Sequence, residues 1–415
     1  MNQPRDGVLV LKFGGTSLAS VDQIHAVARR VARARATGRP VVVVVSARGG
    51  TTDELLALAA EAGALPPPRE VDQLLSTGET ASAALLAMAL WEAGAPASSV
   101  SGAQTGIRAA GRAGEGIVAT VDTAHIERLL GQGHVVVVAG FQGTAGNGDP
   151  LTLGRGGSDT TAVALASALG AARCEIYTDV DGVYTADPRI VPEARLLPGV
   201  PVRVMEEMAF AGARVLHTRA VELAALTGVE IRVLHAAGDG AGTFILDERR
   251  ETMLETRSTV VAVVHDLDMV RMVIEVPRAA GIRATDVFEA VAAGAVPVDM
   301  AAFTGTGEDR LTVSMTVSRS HVTALTGVLG RLIERCGGTT RVYEDEGKVS
   351  LVGTGLLSRP GYGARMLSAL AGAGVEVTSV ASSQLRVSVT VPADRTVAAV
   401  DVLHREFELE SPVAA

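Results

Sequence analysis

The stretch Leu151–Arg189, LTLGRGGSDTTAVALASALGAARCEIYTDVDGVYTADPR, decides the fold. It opens on an Arg-Gly-Gly-Ser-Asp turn, continues as a helix of small residues and passes through a short apolar strand at Cys174–Tyr177. It closes in an acidic, glycine-containing loop that ends Thr-Ala-Asp-Pro-Arg. Turns of this chemistry at both ends of one α/β unit are how a parallel sheet builds a site for phosphates and carboxylates along one edge. Arg155 stands directly before two glycines, so backbone approaches a ligand closely while the guanidinium grips a carboxylate through two parallel hydrogen bonds. Ser158 or Asp159 is predicted to cap the helix TTAVALASALG, leaving free N–H groups at that end. Asp179 and Asp181 do not make a calcium loop, which needs a longer ligand pattern closed by a terminal Glu.

Outward from this stretch, Val8–Phe13 (VLVLKF), the valine run Val41–Val45 and Val135–Ala139 are apolar runs suited to buried parallel strands. The first is followed by Gly14-Gly15-Thr16-Ser17 and then by Ser20-Val21-Asp22-Gln23, a capping-box helix start. Ile24, Val27 and Val31 follow at helical spacing. Lys12 therefore falls at the C-terminal end of a strand, where open parallel sheets bind ligands. The valine run ends in Ser46-Ala47-Arg48-Gly49-Gly50-Thr51-Thr52, and Asp53 opens the helix DELLALAAEAG. After Pro66-Pro67-Pro68, a long Ala/Leu helix carries Glu79 among small residues, placed to accept hydrogen bonds from a substrate ammonium. Taken alone, without the other motifs, Glu79 reads as a helix-surface carboxylate. Further on, a polar loop runs from Gly140 to Asp149, a helix is predicted over roughly Val204 to Ala211, and Val229 to Leu234 is the last strand expected of this unit. His217 and His235 lack metal-ligand spacing and are taken as structural.

The bulk numbers bound these readings. A chain of 415 residues is too long for one ordinary core. With 47% hydrophobic and 20% charged residues it is a well-packed globule, and at 3% aromatics its core must be filled by Val, Leu and Ala. A net charge of −9 argues against nucleic-acid or anionic-membrane partners, so any phosphate must be held by local Lys, Arg and backbone N–H groups. Cys174 and Cys336 are too few for a disulfide framework and suggest buried thiols in a reducing, cytoplasmic setting. No signal peptide is expected before Val8, and no apolar run is counted as long enough to span a membrane.

Near residue 250 the texture changes. Asp247-Glu248-Arg249-Arg250-Glu251 is a charged run and a candidate linker, and two weakly similar strand–helix–strand units follow it. The first includes VRMVIEV, TDVFEAVAAG and LTVSMTV; the second includes KVSLVGTG, ARMLSALAGAG and LRVSVTV. Paired small α+β modules of this kind associate through exposed sheet surfaces.

Taken together, the motifs resemble those of aspartate kinases in the amino-acid kinase superfamily. The resemblance rests on Lys12-Phe13-Gly14-Gly15-Thr16-Ser17, Ser46 with Thr52, Gly78-Glu79, Arg155-Gly156-Gly157-Ser158-Asp159 and Thr178-Asp179-Val180-Asp181-Gly182-Val183-Tyr184, in that order. It spans nearly the whole chain, because the C-terminal units look like the paired ACT domains of those enzymes. It implies an amino-acid kinase fold, a mostly parallel open sheet between helices, over 1–250. A linker at 251–258 and two ferredoxin-like ACT domains at 259–341 and 342–415 would follow. It implies transfer of the ATP γ-phosphoryl group to the β-carboxylate of L-aspartate, the first step toward lysine, threonine and methionine, in a cytoplasmic homo-oligomer paired through its ACT domains. By resemblance Lys12 and Asp159 are catalytic, while Ser46, Thr52, Glu79, Arg155, Gly156, Gly157 and Ser158 hold aspartate. ATP would be held by Lys12, Phe13, Gly14, Gly15, Ser158, Thr178, Asp179, Val180, Asp181, Gly182, Val183, Tyr184, Asp187, Arg189 and Arg214. Mg²⁺ would ride on ATP oxygens and water, with no protein ligand named.

The departures from the family pattern bear on regulation. Arg214 replaces a common Lys, Thr80 follows Glu79 where Arg is frequent, and Arg48 stands where an apolar residue is common. The effector turn of the first ACT unit is Arg278-Ala279-Ala280-Gly281, and Phe303-Thr304 replaces an expected Gln-Asn pair. The second unit keeps Ser358-Arg359-Pro360-Gly361, with Gln384 for a common Glu. Arg278, Gly281, Ile282, Ser358, Pro360 and Gly361 are the candidate effector residues, and altered feedback by lysine or threonine is expected. Met253 stands where a separately made regulatory half would start. Two other readings stay open: a kinase acting on another carboxylate in a specialised pathway, and an amino-acid sensor whose kinase site is inactive.

Overall fold

The computed structural model describes residues 7–246, 260–277, 281, 283–294, 296–306 and 310–411. The chain forms two compact units and crosses between them repeatedly. The first runs through Val183 and takes back Leu196–Ala209 and the stretch from Arg214; the second takes Tyr184–Arg195, Phe210–Ala213 and the C-terminal part.

The first unit is built on an eight-stranded sheet in the order Gly199–Pro201, Thr243–Leu246, Glu230–His235, Arg173–Thr178, Leu9–Phe13, Val41–Val45, Val135–Ala139, Ala97–Val100. Every neighbouring pair is parallel except Glu230–His235 with Thr243–Leu246. All five residues of Val41–Val45 and all five of Val135–Ala139 are buried, as central parallel strands covered on both faces require. Register aligns the strand ends: Lys12 pairs with Val44 and Ile176, and Phe13 with Val45 and Tyr177. The residues that leave these strands, Gly14, Ser46 and Thr178, therefore share one edge.

The helix Val21–Arg35 begins with the expected capping box, Ser20 and Gln23 each bonding the other's backbone N–H. Two expectations change. Glu230–His235 is not the last strand, since Thr243–Leu246 returns beside it; the intervening turn is too short and glycine-rich to give a periodic signal. The 25-residue helix Pro68–Glu92, with a window of mean hydropathy 1.2, does meet the length and apolarity of a membrane span. Its apolarity serves the core instead: Leu75, Ala83, Leu86 and Leu90 are buried, as are its Asp72 and Glu79. The polar loop Gly140–Asp149 holds one strand of a hairpin, Gln142–Thr144 against Pro150–Thr152, which joins a small four-stranded sheet with Ile107–Ala110 and Ile117–Val121.

The second unit contains two four-stranded antiparallel sheets. The first module runs strand, helix, strand, strand, helix, strand over Met269–Pro277, Ala284–Ala293, Asp299–Thr306, Arg310–Ser318, Val322–Cys336 and Thr339–Tyr343. The second repeats the order over Glu346–Gly353, Gly361–Gly372, Ser379–Ser382, Arg386–Pro392 and Thr396–Glu406, stopping one strand short. Val260–Asp266, from before the first module, pairs with Glu346–Gly353 and supplies its fourth strand. Each helix pair covers one sheet face with its own apolar core. The sheets are tied by two carboxylate forks: Arg271 donates to Glu346 at 2.8 and 2.7 Å, and Arg386 to Asp299 at 2.8 and 2.9 Å. Lys348 Nζ adds a third contact to Asp299 at 3.0 Å. Burial acts to raise the Asp299 pKa, but the Arg386 hydrogen bonds and the two cations outweigh it and hold the carboxyl well below the usual range.

Tyr184–Arg195 is fixed within this second unit. Thr185 accepts the Val263 N–H on its carbonyl at 2.8 Å and shares a 2.9 Å hydrogen bond with His404 Nε2, while Ala186 and Val191 lie in the second module's core.

Candidate functional site

Lys12 is the fourth residue of Leu9–Phe13, and its ammonium emerges at the sheet edge over Gly14. Its Nζ lies 2.6 Å from Asp159 Oδ1, an ion contact whose angle falls outside hydrogen-bond geometry. The Phe13 side chain is fully buried and stacked on Tyr177 at 4.6 Å, so only its backbone is available to a ligand. Gly15–Leu18 forms a tight 3₁₀ turn whose first N–H groups have no intrahelical acceptor. Arg48 pins that turn by donating to the carbonyls of Leu18 and Ala19 at 3.2 and 3.1 Å, which accounts for a cation at this position.

The Arg-Gly-Gly-Ser-Asp turn differs from expectation in its cap. The helix spans Gly157–Ala168, begins before Ser158, and has Gly156 at its N-cap with φ +67° and no side-chain cap. The left-handed turn at Gly156 starts the helix early, so Ser158 and Asp159 sit inside its first turn with their side chains uncommitted to capping. A Cβ on Gly156 would lie 2.1 Å from His217 Cβ and Cγ, so only glycine fits beneath that imidazole. Arg155 is exposed, with no hydrogen bond or ion pair found among the described residues.

Glu79 is the most polarised group here. It is 3% exposed, in the middle of Pro68–Glu92. Gly78 makes this possible: its missing side chain lets the helix press on Ala47, whose Cβ would lie 2.9 Å from a Cβ at position 78. The contact delivers the Ala47 N–H to Glu79 Oε1 at 3.0 Å. The other oxygen, Oε2, is buried with no partner among the described residues. Burial raises the Glu79 pKa from 4.5 to about 7, partly offset by the Ala47 hydrogen bond. Ser46 precedes Ala47 directly, and Thr52 lies in the first turn of the helix Thr51–Ala62.

The acidic loop leaves Arg173–Thr178 at the same edge. Thr178 donates to Asp179 at 3.1 Å. Thr243, absent from the sequence reading, anchors the loop: its hydroxyl accepts the Val183 N–H at 2.9 Å and donates to the Leu197 carbonyl at 2.6 Å. A lone Thr opening a four-residue strand offers no sequence signal. Asp179 and Asp181 are exposed, Gly182 and Val183 buried, and Arg214 is exposed. Tyr184, Asp187 and Arg189 belong to the second unit, where the Arg189 guanidinium forks onto Asp187 at 3.0 and 2.7 Å and holds its carboxyl below the usual range.

The structure thus brings Lys12, Gly14, Gly15, Ala47, Glu79 and Asp159 into one run of contacts, with Ser158 beside Gly140. His235 has a structural task, its Nδ1 accepting the N–H groups of Ala237 and Gly238 at 3.0 and 3.1 Å. Of the effector candidates, Arg278 and Ile282 lie outside the described residues, as do the 251–258 linker and Met253. Gly281 takes a left-handed φ of +70°, and the exposed Ser358, Pro360 and Gly361 lead into the helix Gly361–Gly372.

A cation, an uncapped helix N-terminus and a buried carboxylate thus meet at the C-terminal edge of a parallel sheet, where open α/β sheets bind anionic ligands. Residues 7–235 match the amino acid kinase family, and 349–407 match an ACT domain. The chain is 43% identical over 406 residues to an aspartokinase of Thermus thermophilus, covering 97% of this chain and 99% of that one. Among solved structures it resembles E. coli aspartokinase III in complex with aspartate and ADP in the R-state, with TM-score 0.81 and 25% identity, covering 97% of this chain and 100% of that one. The same enzyme in complex with lysine and aspartate in the T-state gives TM-score 0.70 at 25% identity, covering 97% and 99%. The chain belongs to the aspartokinase family.

Proposed function

We propose that the first unit transfers the γ-phosphoryl group of ATP to the β-carboxylate of L-aspartate, giving 4-phospho-L-aspartate and ADP. The observation that carries this reading is Glu79, a buried carboxylate with one oxygen unpartnered among the described residues. Such an oxygen asks for a cation, and an α-ammonium is the cation that an amino-acid substrate brings. Arg155, exposed and without a partner among the described residues, supplies the complementary grip for the α-carboxylate. Together they favour a free α-amino acid over acetylated or non-amino acceptors.

The chemistry then needs positioning and charge neutralisation. A β-carboxylate oxygen forms the new O–P bond while the bridging bond between the β- and γ-phosphorus groups breaks, its electron pair leaving on ADP. No proton moves, so no general base is required. Lys12 faces the charge that develops on the transferring group, and the N-terminus of Gly157–Ala168 points N–H groups at the same region. Asp159 holds Lys12 in place through its 2.6 Å contact. The Thr178–Val183 loop with Arg214 is read as the nucleotide side.

Among the described residues no three His, Cys, Asp or Glu side chains converge as a metal cage. Mg²⁺ is read as carried by the nucleotide, where it would neutralise phosphate oxygens. The ACT modules are read as the seat of amino-acid feedback and of pairing between copies of the chain. The changes at Arg278–Gly281 and Phe303–Thr304 support weakened feedback.

Hydroxylamine trapping of the acyl phosphate over a panel of amino acids, with and without lysine and threonine, tests all of this. Hydroxamate from aspartate, little affected by the two effectors, is expected. Absence of hydroxamate from aspartate overturns the activity, and joint inhibition at submillimolar lysine and threonine overturns the regulatory reading.

A further inference from the structure

We infer that His217 is a positioning residue for aspartate: its imidazole is the wedge that sets the Arg155–Gly157 turn and so aims the Arg155 guanidinium at the substrate α-carboxylate. The inference rests on the proposed aspartate site and adds a residue that carries no metal-ligand or catalytic motif.

Three observations converge on it. First, the ring lies flush against Gly156, the residue between Arg155 and the helix start, so closely that a Cβ there would sit 2.1 Å from His217 Cγ and 2.5 Å from Cδ2. Second, His217 is the N-cap of the helix Thr218–Thr227, yet its side chain makes no capping hydrogen bond. Its carbonyl accepts the N–H groups of Ala220 and Val221, which fixes the backbone, while the ring is committed to the turn opposite. Third, the same helix turn holds the strand that leads into Arg155: Arg219 donates to the carbonyls of Leu153 at 2.5 Å and Gly116 at 2.9 Å. The Arg-Gly-Gly turn is thus clamped on both sides of Arg155 by consecutive parts of one helix start.

The wedge is also polar. His217 Nδ1 is buried and has no partner among the described residues. Burial lowers the imidazole pKa, and the charges of Arg219 and Arg155 lower it further against the opposing pull of Asp159 and Glu222. The ring is therefore neutral at neutral pH, and a neutral ring brings no repelling charge to the turn that carries Arg155.

Because the effect runs through Arg155, it separates from nucleotide binding. Misplacing a gripping group by about an ångström costs up to roughly a hundredfold. Steady-state kinetics of the full chain are to be measured for His217→Ala, His217→Asn, Arg155→Ala and the Arg155→Ala/His217→Ala double variant, with hydroxamate as readout. In His217→Ala the KM for aspartate rises roughly ten- to hundredfold while the KM for ATP stays within about twofold. His217→Asn, flat and neutral, recovers most of the loss. In the Arg155→Ala background, removing His217 adds little, the coupling expected of a residue acting through another. An unchanged aspartate KM, an equal rise in both KM values, or additive losses in the double variant overturns the inference. So does failure of His217→Asn to fold, judged by circular dichroism, since that makes the ring purely structural. Absence of aspartyl hydroxamate from the wild-type chain is a different failure, and sinks the proposed activity instead.

Discussion

Glu79 links affinity and stability to pH in a way that a surface carboxylate would not. Burial brings its pKa from 4.5 to about 7, so near neutrality the empty site holds a mixture of carboxylic acid and carboxylate. Only the carboxylate attracts an α-ammonium. The KM for aspartate should therefore scale inversely with the fraction ionised, rising roughly tenfold from pH 8 to pH 6, while the KM for ATP moves far less. Stability changes with the opposite preference. The folded state binds the Glu79 proton more tightly than the unfolded chain does, so this group's contribution is fully favourable below pH 4.5 and is lost as pH rises through 7. The loss is the shift multiplied by ~1.4 kcal/mol per unit, on the order of 3 kcal/mol once pH is above 7. Glu79→Gln removes that term. It should stabilise the first unit most at pH 8 and little at pH 5, while costing aspartate affinity at both. Denaturant unfolding of the two proteins at pH 5 and 8, with aspartate KM from pH 6 to 8, reads both effects. An aspartate KM independent of pH, or a Gln variant that still saturates with aspartate as the wild type does, refutes the reasoning.

Lys12→Ala should lower kcat by roughly 10²–10³ with the aspartate KM nearly unchanged, since its charge acts on the transferring group and not on the α-substituents; unaltered turnover in a stopped-time ADP assay removes Lys12 from the chemistry. Thr243→Val deletes the anchor of the Val183 N–H and should raise the KM for ATP roughly fivefold, the worth of one hydrogen bond, with aspartate binding unaffected. Asp299→Ala leaves Lys348 and Arg386 in the second unit without their shared carboxylate and should cost roughly 3 kcal/mol, visible as faster amide exchange along Glu346–Gly353. Because the Asp299 pKa is depressed, its contribution is present above the ordinary carboxylate range and is lost as pH falls below it, so the variant and wild type should converge in acid.

What could be foreseen divides along the range of the interactions. Val41–Val45 and Val135–Ala139 are so apolar that burial on both faces, and hence a central parallel sheet, follows from composition. Parallel register then lines up the strand ends, which is why Lys12 and Ser46, each at the end of such a run, fall on one edge. Short strands such as Gln142–Thr144 and Gly199–Pro201 have too few residues for a period to show. They exist because neighbours supply the hydrogen bonds. The interleaving of Val260–Asp266 into the last module was hidden for the same reason, since nothing in VVAVVHD says which of two sheets it will complete.

The site shows the same division at the scale of single groups. Lys12, Arg155 and Asp159 announce themselves through glycine-rich turns, whose local geometry is written in adjacent residues. Glu79 does not, because its role depends on a helix crossing made possible by Gly78 meeting Ala47, residues far apart in the chain. Alone it reads as a surface carboxylate; buried, with one oxygen held and the other without a partner among the described residues, it is the group proposed to select an amino acid. His217 was set aside for want of ligand spacing, and its importance comes only from the glycine it covers. In both cases the informative feature is a glycine whose missing Cβ permits the contact. A glycine flanked by chemically committed residues is thus a pointer to an unseen side chain that must occupy the space. That argument extends beyond the two positions. Gly182 lies in the acidic loop with a Cβ position only 2.4 Å from Thr243 Oγ1, and it marks the anchor of that loop just as Gly156 marks the side chain packed on the Arg-Gly-Gly turn.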